Sequence, residues 1–374
     1  MRPDQTIPDI LNTGIKNSRN VLRYTFGEGR LTMLADLLDE KRKSDQDYVI
    51  YLVDQFFCNE KEFISLMSVE KVDKLIFVET EDEPTTTYVN RLCRQIVDEG
   101  KSAPCAIVGV GGGITLDVAK AISNLLTNGG KAEDYQGWDL VQKPGVYKIG
   151  VPTLSGTGAE ATRTCVMTNE ANGLKLGMNS DHTVFDQLIL DPNLTRTVPR
   201  SQYFFTGMDA YIHCLETLNG GFRNAIGDVF SEQVIQLCRD VFFDDDMMSD
   251  ESRQKMMVAS YLGGCAIATS YVGVVHPFSA ALSVVLGLHH CVANCIVLGA
   301  MEEFYPKGYE EFSEMTVQQN VSIPAEVCSS LTDKQHDDLF DAMIVHEKPL
   351  TNALGVKFKE ILTRDKAREL FETM

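Results

Sequence analysis

The segment GVGGGITLDVAK, residues 109–120, constrains the fold most, because an apolar run ends in glycines and then continues with helical periodicity. Glycines let a backbone approach a pyrophosphate closely, and the first turn of a helix offers it unpaired N–H groups. The segment therefore predicts a strand, a loop and a helix with a place for a dinucleotide phosphate. Its spacing departs from GxGxxG, and a simple tight turn is the alternative interpretation.

Apolar runs of strand length alternate with helical segments through the first half of the chain, which is typical of βαβ units around a parallel sheet. Beyond Pro199 such runs fade and helical periodicity dominates. The polar, proline-bearing segment 191–200 separates the two patterns. We therefore predict an α/β Rossmann-like domain over 1–198 and an all-helical domain over 199–374. The predicted strands are 48–54, 74–80 and 105–113, and the predicted helices include 226–242 and 254–274.

Two other polar features of the first half suit a nucleotide. Asp54 ends a predicted strand, where a carboxylate can accept from ribose hydroxyls and repel a 2′-phosphate, which favours NAD over NADP. A helix-capping aspartate is the alternative. The segment TLSGTGAEATR, 153–163, offers the hydroxyls of Thr153, Ser155 and Thr157 beside glycines, although turn chemistry would account for each one singly.

Composition excludes several classes of partner. A length of 374 residues exceeds one comfortable core, and the formal net charge of -19 disfavours nucleic acid and anionic lipid. The ten cysteines form no CxxC pair, and the N-terminus lacks the apolar core of a secretory signal. No apolar run approaches the ~20 residues of a spanning helix. We expect a soluble, cytoplasmic protein with reduced thiols.

The stretch TGMDAYIHCLE, 206–216, places Asp209 and His213 four positions apart, and hence on one face of a helix. A capping aspartate beside a core histidine is the alternative. Further histidines, His276 and His290, follow in apolar surroundings. One carboxylate with three imidazoles suits Fe(II) or Zn(II) better than magnesium or calcium.

The sequence resembles the iron-containing (group III) alcohol dehydrogenases over nearly its whole length. GGGITLDVAK is similar to their GGGSxxDxAK, PTLSGTGAE to PTxxGTGSE, DPNLT to DPxLT, and TGMDAYIHCLE to GxDAxxHxxE. The resemblance implies an oxidoreductase acting on CH–OH groups, with the dehydroquinate synthase-like fold, a Rossmann-like NAD domain, a helical metal domain and a homodimer.

Carried over position by position, the resemblance implies specific ligands. The metal, Fe2+ or Zn2+, falls on the catalytic residues Asp209, His213, His276 and His290. The NAD contacts fall on Asp54, Gly112, Gly113, Thr153, Ser155, Thr157, Lys175 and Leu194.

The sequence departs from the family pattern at Ile114 and at Ala280, and His289 bears on the second departure. Ile114 replaces the serine after the glycines, which leaves phosphate binding to backbone amides. Ala280 stands where many members carry a second histidine for proton relay. His289 is the nearest substitute for that relay; a residue supporting a ligand or merely packed is the alternative.

Within the family, the segments YQGWDLVQKPGVYKIGVP and GLHHCVANCIV resemble the 3-deoxy-D-manno-octulosonate (KDO) 8-oxidases. These oxidise the terminal hydroxyl of an acidic eight-carbon sugar to an aldehyde, ahead of its amination for lipopolysaccharide biosynthesis. The expected partner is thus a small acidic sugar or alcohol. A generic NAD-dependent short-chain alcohol dehydrogenase is the alternative, and a non-catalytic NAD- or metal-binding protein is the alternative of another class. A dehydroquinate synthase-like lyase would require a basic phosphate pocket that we do not find near the predicted ligands.

Overall fold

The computed structural model describes residues 19–98 and 103–374. Within these ranges the chain separates into two compact units, residues 19–198 and residues 199–374. The first is an α/β unit and the second is helical, which confirms the predicted fold class.

The α/β unit is built on a parallel sheet. In the described part of this unit, six strands pair in the order β1-β9-β6-β4-β2-β3, and every pairing is parallel. A smaller sheet, β5-β8-β7, lies in the same unit. The three strands predicted from the apolar runs are present. The strands are β1 Arg23–Phe26, β2 Val49–Asp54, β3 Lys74–Val78, β4 Ala106–Gly111, β5 Gly137–Trp138, β6 Lys148–Pro152, β7 Thr164–Asn169, β8 Leu174–Asn179 and β9 Gln187–Leu190.

The centre of the larger sheet forms the core of this unit. Strands β2, β4 and β6 are buried along nearly their whole length, because helices and turns cover the sheet. Tyr51, Val53, Val108, Val110 and Val151 are all fully buried there. Such continuous apolar strands are typical of a parallel sheet. The helices of this unit are α1 Leu34–Asp39, α2 Lys61–Leu66, α3 Thr86–Asp98 and α4 Gly113–Asn128.

The described residues from 199 onward form helices and no strand. Helix α5 is the most deeply buried among the long ones, and its Gly207 has no room for a side chain: a Cβ there would lie 2.8 Å from the Phe242 ring and 2.9 Å from Met256 Sδ. The helices are α5 Arg200–Leu218, α6 Ala225–Phe242, α7 Asp250–Thr269, α8 Val275–Leu286, α9 His290–Leu298, α10 Pro306–Gln318, α11 Asp333–Ile344, α12 Glu347–Leu354, α13 Phe358–Ile361 and α14 Arg364–Glu372.

One predicted helix is wrong at its end. The segment 254–274 was expected to be helical throughout, but α7 ends at Thr269. A residue distant in sequence supports the break: the Asn352 amide donates to the carbonyls of Tyr271 and Val272 at 2.7 and 3.1 Å, so these groups are satisfied without helical partners.

Two chain-wide properties complete the fold. Among the described residues, no helix combines the length and apolar character that crossing a bilayer requires. All ten cysteines lie in the described ranges, and all are free thiols.

Candidate metal centre and nucleotide site

Helix α5 carries the first two predicted metal ligands at its middle. The helix begins after Pro199, so Asp209 lies well inside it and the helix-capping alternative is wrong. Asp209 is 1% exposed and His213 is 4% exposed. His213 Nε2 lies 3.5 Å from Asp209 Oδ1, as expected for side chains one helical turn apart. Its Nδ1 is buried and has no hydrogen-bond partner among the described residues, unlike an ordinary core histidine.

Helices α8 and α9 supply the other two histidines. His276 is the second residue of α8, and His290 is the first residue of α9. Between them the chain reverses at Gly287, which has φ +69° and ends α8 in the left-handed conformation that glycine adopts without strain. The sequence GLHH thus ends one helix and starts the next with His290 at its N-terminus.

The four predicted ligands meet in one place. The ligand atoms of Asp209, His276 and His290 all lie within 4.8 Å of one another. Asp209 Oδ1 is 3.4 Å from His276 Nε2 and 3.9 Å from His290 Nε2. His213 joins them at Asp209, and its ring stacks on His276 with centroids 4.7 Å apart. Three helices therefore direct three imidazole nitrogens at one carboxylate oxygen.

Burial and charge oppose each other in this cluster. Burial alone would raise the pKa of Asp209, but the three imidazoles outweigh it and hold that pKa below its usual range. Burial lowers the pKa of His213 to about 4. For His276 burial acts in the same direction, but the carboxylates of Glu216 and Asp209 prevail and raise its pKa to about 9. Asp209 is thus an anion, the state in which a carboxylate binds a metal, whereas His276 would have to release a proton when a metal binds.

Glu216 supports His276 and was missed as a functional residue. It is the final residue of TGMDAYIHCLE, two turns after Asp209, and it is 1% exposed. Its Oε2 lies 2.5 Å from His276 Nδ1, and its Oε1 accepts from the Val275 amide at 2.5 Å. A carboxylate on Nδ1 fixes the imidazole tautomer that leaves Nε2 free to ligate. The glutamate of the motif was the available signal.

Asn294 is a second polar neighbour that the sequence did not single out. It lies one turn after His290 on α9 and is fully buried. Its Nδ2 donates to Asp209 Oδ1 at 2.7 Å and lies 3.2 Å from His290 Nε2 and 3.4 Å from His276 Nε2. On the same helix, Cys291 Sγ lies 3.8 Å from Asp209 Oδ2.

The donor set fits a divalent transition metal. A buried carboxylate with no cationic Lys or Arg partner in the described contacts faces imidazole nitrogens, and nitrogen-rich sets of this kind select Fe(II) or Zn(II) over oxygen-seeking Mg(II) or Ca(II). The His276–Glu216 pair adds the carboxylate that commonly supports a ligating histidine.

The glycine segment of the α/β unit lies between β4 and α4. Gly112 precedes the helix and Gly113 is its first residue, and no side chain caps this end. The glycines of this run do not have positive φ, so a tight turn is not their reason. Packing around them is close instead: a Cβ at Gly112 would lie 2.7 Å from Leu154 Cδ1, and one at Gly113 would lie 3.3 Å from Thr157, so a larger residue would require these side chains to move. The N-cap residue of α4 makes no side-chain cap, and uncapped first-turn amides are groups that can bind an anion.

Ile114, the second residue of α4, offers no polar side-chain atom at this end of the helix. The family serine at that place would add a hydroxyl, whereas the Gly112 cap here offers only backbone groups. Phosphate binding at α4 would thus rest on amides alone.

The predicted hydroxyl residues follow the neighbouring strand β6. Thr153 comes directly after β6, and its amide donates to Gly111 O at 3.0 Å, which ties the segment to the glycine run. Ser155 is buried, and its Oγ has no hydrogen-bond partner among the described residues. Thr157 lies against Gly113. Thr153 and Thr157 are therefore adjacent to the predicted phosphate loop, and Ser155 lies between them in the sequence.

Asp54 ends β2, beside β4 in the sheet, at the same carboxyl edge. Its Oδ1 accepts from the Phe56 amide at 3.0 Å and from the Thr80 hydroxyl at 2.9 Å. The capping interaction that was the alternative for Asp54 is thus present. This interaction uses one oxygen of the Asp54 carboxylate, which lies at the edge of the sheet.

Two other predicted NAD residues have different surroundings. Lys175 is in β8 of the smaller sheet, where its Nζ pairs with Glu83 Oε2 at 3.1 Å. Leu194 is in a short turn of helix after β9 and packs against the core under the large sheet. No described contact joins either residue to the glycine run.

Polar residues of GGGITLDVAK act within the protein. Asp117 Oδ2 accepts from the Val166 amide at 2.9 Å, and Lys120 Nζ donates to Thr164 O at 2.7 Å. Both contacts tie α4 to β7. Burial raises the pKa of Asp117 to about 6. These two motif residues thus position the helix that begins at the glycines.

The two positions considered for a proton relay, Ala280 and His289, differ in exposure to solvent. Ala280, one turn after His276 on α8, is 8% exposed and offers no polar atom. His289 precedes α9 and is exposed, so it is not a packed core residue. Its part in a proton relay stays a prediction.

The chain is similar to known proteins over most of its length. Residues 22–192 match the family Iron-containing alcohol dehydrogenase, and residues 204–351 match Fe-containing alcohol dehydrogenase family, C-terminal. The chain is 31% identical to Alcohol dehydrogenase 4 of Schizosaccharomyces pombe over 64% of this chain and 57% of that protein. It is 32% identical to the NAD-dependent methanol dehydrogenase of Bacillus methanolicus over 60% of this chain and 59% of that protein. The matched part is under two thirds of each relative's length.

A solved structure gives the same fold. The alcohol dehydrogenase from Oenococcus oeni superposes with a TM-score of 0.83 at 20% identity, covering 96% of this chain and 100% of that one. The two family matches include the glycine segment and all four predicted metal ligands. The chain therefore belongs to the iron-containing alcohol dehydrogenase family.

Proposed function

We propose that the protein is an NAD-dependent, metal-dependent alcohol dehydrogenase that oxidises a primary hydroxyl to an aldehyde. Residues 1–198 would bind NAD, and residues 199–374 would hold the metal through Asp209, His213, His276 and His290. The observation that carries the proposal is the buried Asp209 carboxylate facing three imidazole nitrogens at 3.4 to 3.9 Å in a chain of this family.

The chain's own residues would prepare the reaction. A divalent metal in the Asp209 cluster would supply a Lewis acid that lowers the pKa of a substrate hydroxyl, and NAD would supply the hydride acceptor. Asp209 contributes a fixed negative charge, and Glu216 holds His276 in one tautomer. The α4 amides and the hydroxyls of Ser155 and Thr157 would bind the cofactor. This division requires no protein nucleophile.

Asp54 is expected to set the choice of NAD over NADP. Its carboxylate at the carboxyl edge of β2 would repel the 2′-phosphate of NADP. Asp54→Gly is therefore expected to narrow the ratio of kcat/KM for NAD to that for NADP by about tenfold, the equivalent of ~1.4 kcal/mol. Steady-state kinetics with both cofactors measure the ratio.

Asp54→Asn separates charge from shape, because an amide oxygen can still accept from Phe56 and Thr80. The ratio should narrow in this variant as well. A wild-type enzyme that uses NADP as well as NAD would show that Asp54 has no part in the selection.

For the substrate, we propose KDO, oxidised at its C8 hydroxyl ahead of amination for lipopolysaccharide biosynthesis. The support is the resemblance of YQGWDLVQKPGVYKIGVP and GLHHCVANCIV to the KDO 8-oxidases. An anionic sugar needs a local basic group, and the two candidate arginines in the sequence, Arg163 and Arg200, are already engaged. Arg163 pairs with Asp139 and Asp181, and Arg200 donates to Gln319.

A substrate panel tests the choice of KDO. Contacts to remote hydroxyls and to the carboxylate would hold C8 in place, so truncated alcohols should lose kcat as well as affinity. We expect kcat/KM for KDO to exceed that for ethanol, propanol and glycerol by at least about 100-fold. Equal or better values for the simple alcohols would leave the generic alcohol dehydrogenase as the function.

Two broader features stay proposals. We propose a homodimer, supported by the family resemblance and by the exposed apolar side chains of Leu22 and Tyr24 at β1, which are 68% and 57% exposed. We propose a cytoplasmic location, supported by the free thiols.

A further inference from the structure

Helix α9 brings a buried amide against the proposed metal ligands. Asn294 is one turn after His290 and is fully buried, so its amide cannot exchange partners with bulk water. Side chains of this kind are retained in a core only when their hydrogen bonds offset the cost of burial. The contacts of Asn294 therefore indicate what it does.

The amide faces the ligand atoms with its NH2 group. Nδ2 is 2.7 Å from Asp209 Oδ1, and it is 3.2 and 3.4 Å from the Nε2 atoms of His290 and His276. The first contact is a hydrogen bond to a buried anion, which is stronger than one between neutral groups. Asn294 thus meets three of the four proposed ligands.

The orientation of the amide follows from its partners. Asn294 Oδ1 is buried and accepts no hydrogen bond from the described residues. Turning the amide over would place this oxygen against the Asp209 carboxylate and would bury the NH2 group without an acceptor. The NH2 group therefore stays on Asp209, and an NH2 group cannot ligate a metal.

We propose that Asn294 is a positioning residue that holds the Asp209 carboxylate in the orientation required for metal binding. Its hydrogen bond uses one lone pair of Oδ1 and leaves the other available for a metal. Cys291 Sγ, from the same helix, lies 3.8 Å from the second oxygen, Oδ2. The carboxylate is thereby contacted on both oxygens by α9, the helix that also carries His290. The inference rests on the proposed metal site.

Metal affinity tests this role directly. Asn294→Ala is expected to weaken Co2+ binding by about 10- to 100-fold, because loss of a residue that supports a metal ligand usually lowers metal affinity by that factor. The affinity is measured by competition with a chelator. The visible bands of bound Co2+ should keep their intensity, since no ligand is lost. Asn352→Ala is the matched control: this buried amide of the same unit donates to Tyr271 and Val272 away from the ligands, and its loss should leave Co2+ affinity unchanged.

A double-mutant cycle shows whether Asn294 acts through Asp209. In an Asp209→Ala background, Asn294→Ala should weaken Co2+ binding no further. An additional loss there, a change of band intensity that reports a lost ligand, or unchanged affinity in Asn294→Ala would overturn the inference while leaving the metal site standing. A wild-type protein that binds no Co2+ would overturn both the metal site and the inference.

Discussion

Replacing His213 with alanine is expected to remove most of the bound metal and to lower kcat/KM for alcohol oxidation by more than about 100-fold. Loss of a supporting residue alone usually costs 10- to 100-fold, and His213 would be a ligand itself. Its removal also takes away one of the three imidazoles that hold Asp209 anionic, so the buried carboxylate loses part of its compensation. Metal content per chain and the rate of NADH formation measure the two effects.

His336→Ala is the matched control for this substitution. His336 is also a buried histidine of the helical unit, but it lies on α11, outside the ligand group. It should lower stability without changing metal content. If His213→Ala retained full metal and full activity, His213 would be a core residue and the four-ligand site would be wrong.

Glu216→Gln is expected to weaken metal binding and to lower kcat/KM by about 10- to 100-fold each. Glu216 uses both oxygens, one at His276 Nδ1 and one at the Val275 amide. Glutamine has one acceptor, so an NH2 group must face either the amide or the ring. Facing the ring, it favours the tautomer with a proton on Nε2, the atom that must ligate. Chelator competition and steady-state kinetics measure the change.

Glu311→Gln controls for the loss of a carboxylate in the same unit. Glu311 accepts from Tyr211 and Arg239, away from the ligand group. Its substitution should leave metal affinity unchanged. An effect of Glu216→Gln that adds fully to that of His276→Ala would show that Glu216 does not act through His276.

The metal centre could be predicted as far as residue type and helical spacing allow. Asp209 and His213 are four positions apart on a helix that forms as expected, so their proximity follows from geometry. The approach of His276 and His290 does not follow from spacing, because it depends on how α8 and α9 pack. The family resemblance supplied that part.

The supporting residues show where sequence reasoning ended. In the sequence, Glu216 and Asn294 resemble ordinary core residues. Only the folded structure shows which ligand each one contacts. The break after Thr269 was missed for a related reason: the amide that satisfies the backbone beyond it belongs to Asn352, a residue distant in sequence.

The nucleotide half was predicted more fully, because a parallel sheet fixes where strand ends meet. Strands β2, β4 and β6 are neighbours, so Asp54, the glycine run and Thr153 share one edge as their positions indicated. The glycines of this run do not form a tight turn, because none of them has a positive φ. Leu154 and Thr157 lie so close to Gly112 and Gly113 that a larger residue there would require these side chains to move.

Metal removal and reconstitution of the wild-type enzyme test the central claim most directly. Protein stripped with a chelator is mixed with NAD and a primary alcohol, KDO included, before and after Fe2+ or Zn2+ is restored. We expect about one metal ion per chain, no NADH formation without it, and recovery on its return. NADH formation that survives complete metal removal, or full metal binding with no alcohol-dependent NADH formation, would contradict a metal-dependent alcohol dehydrogenase.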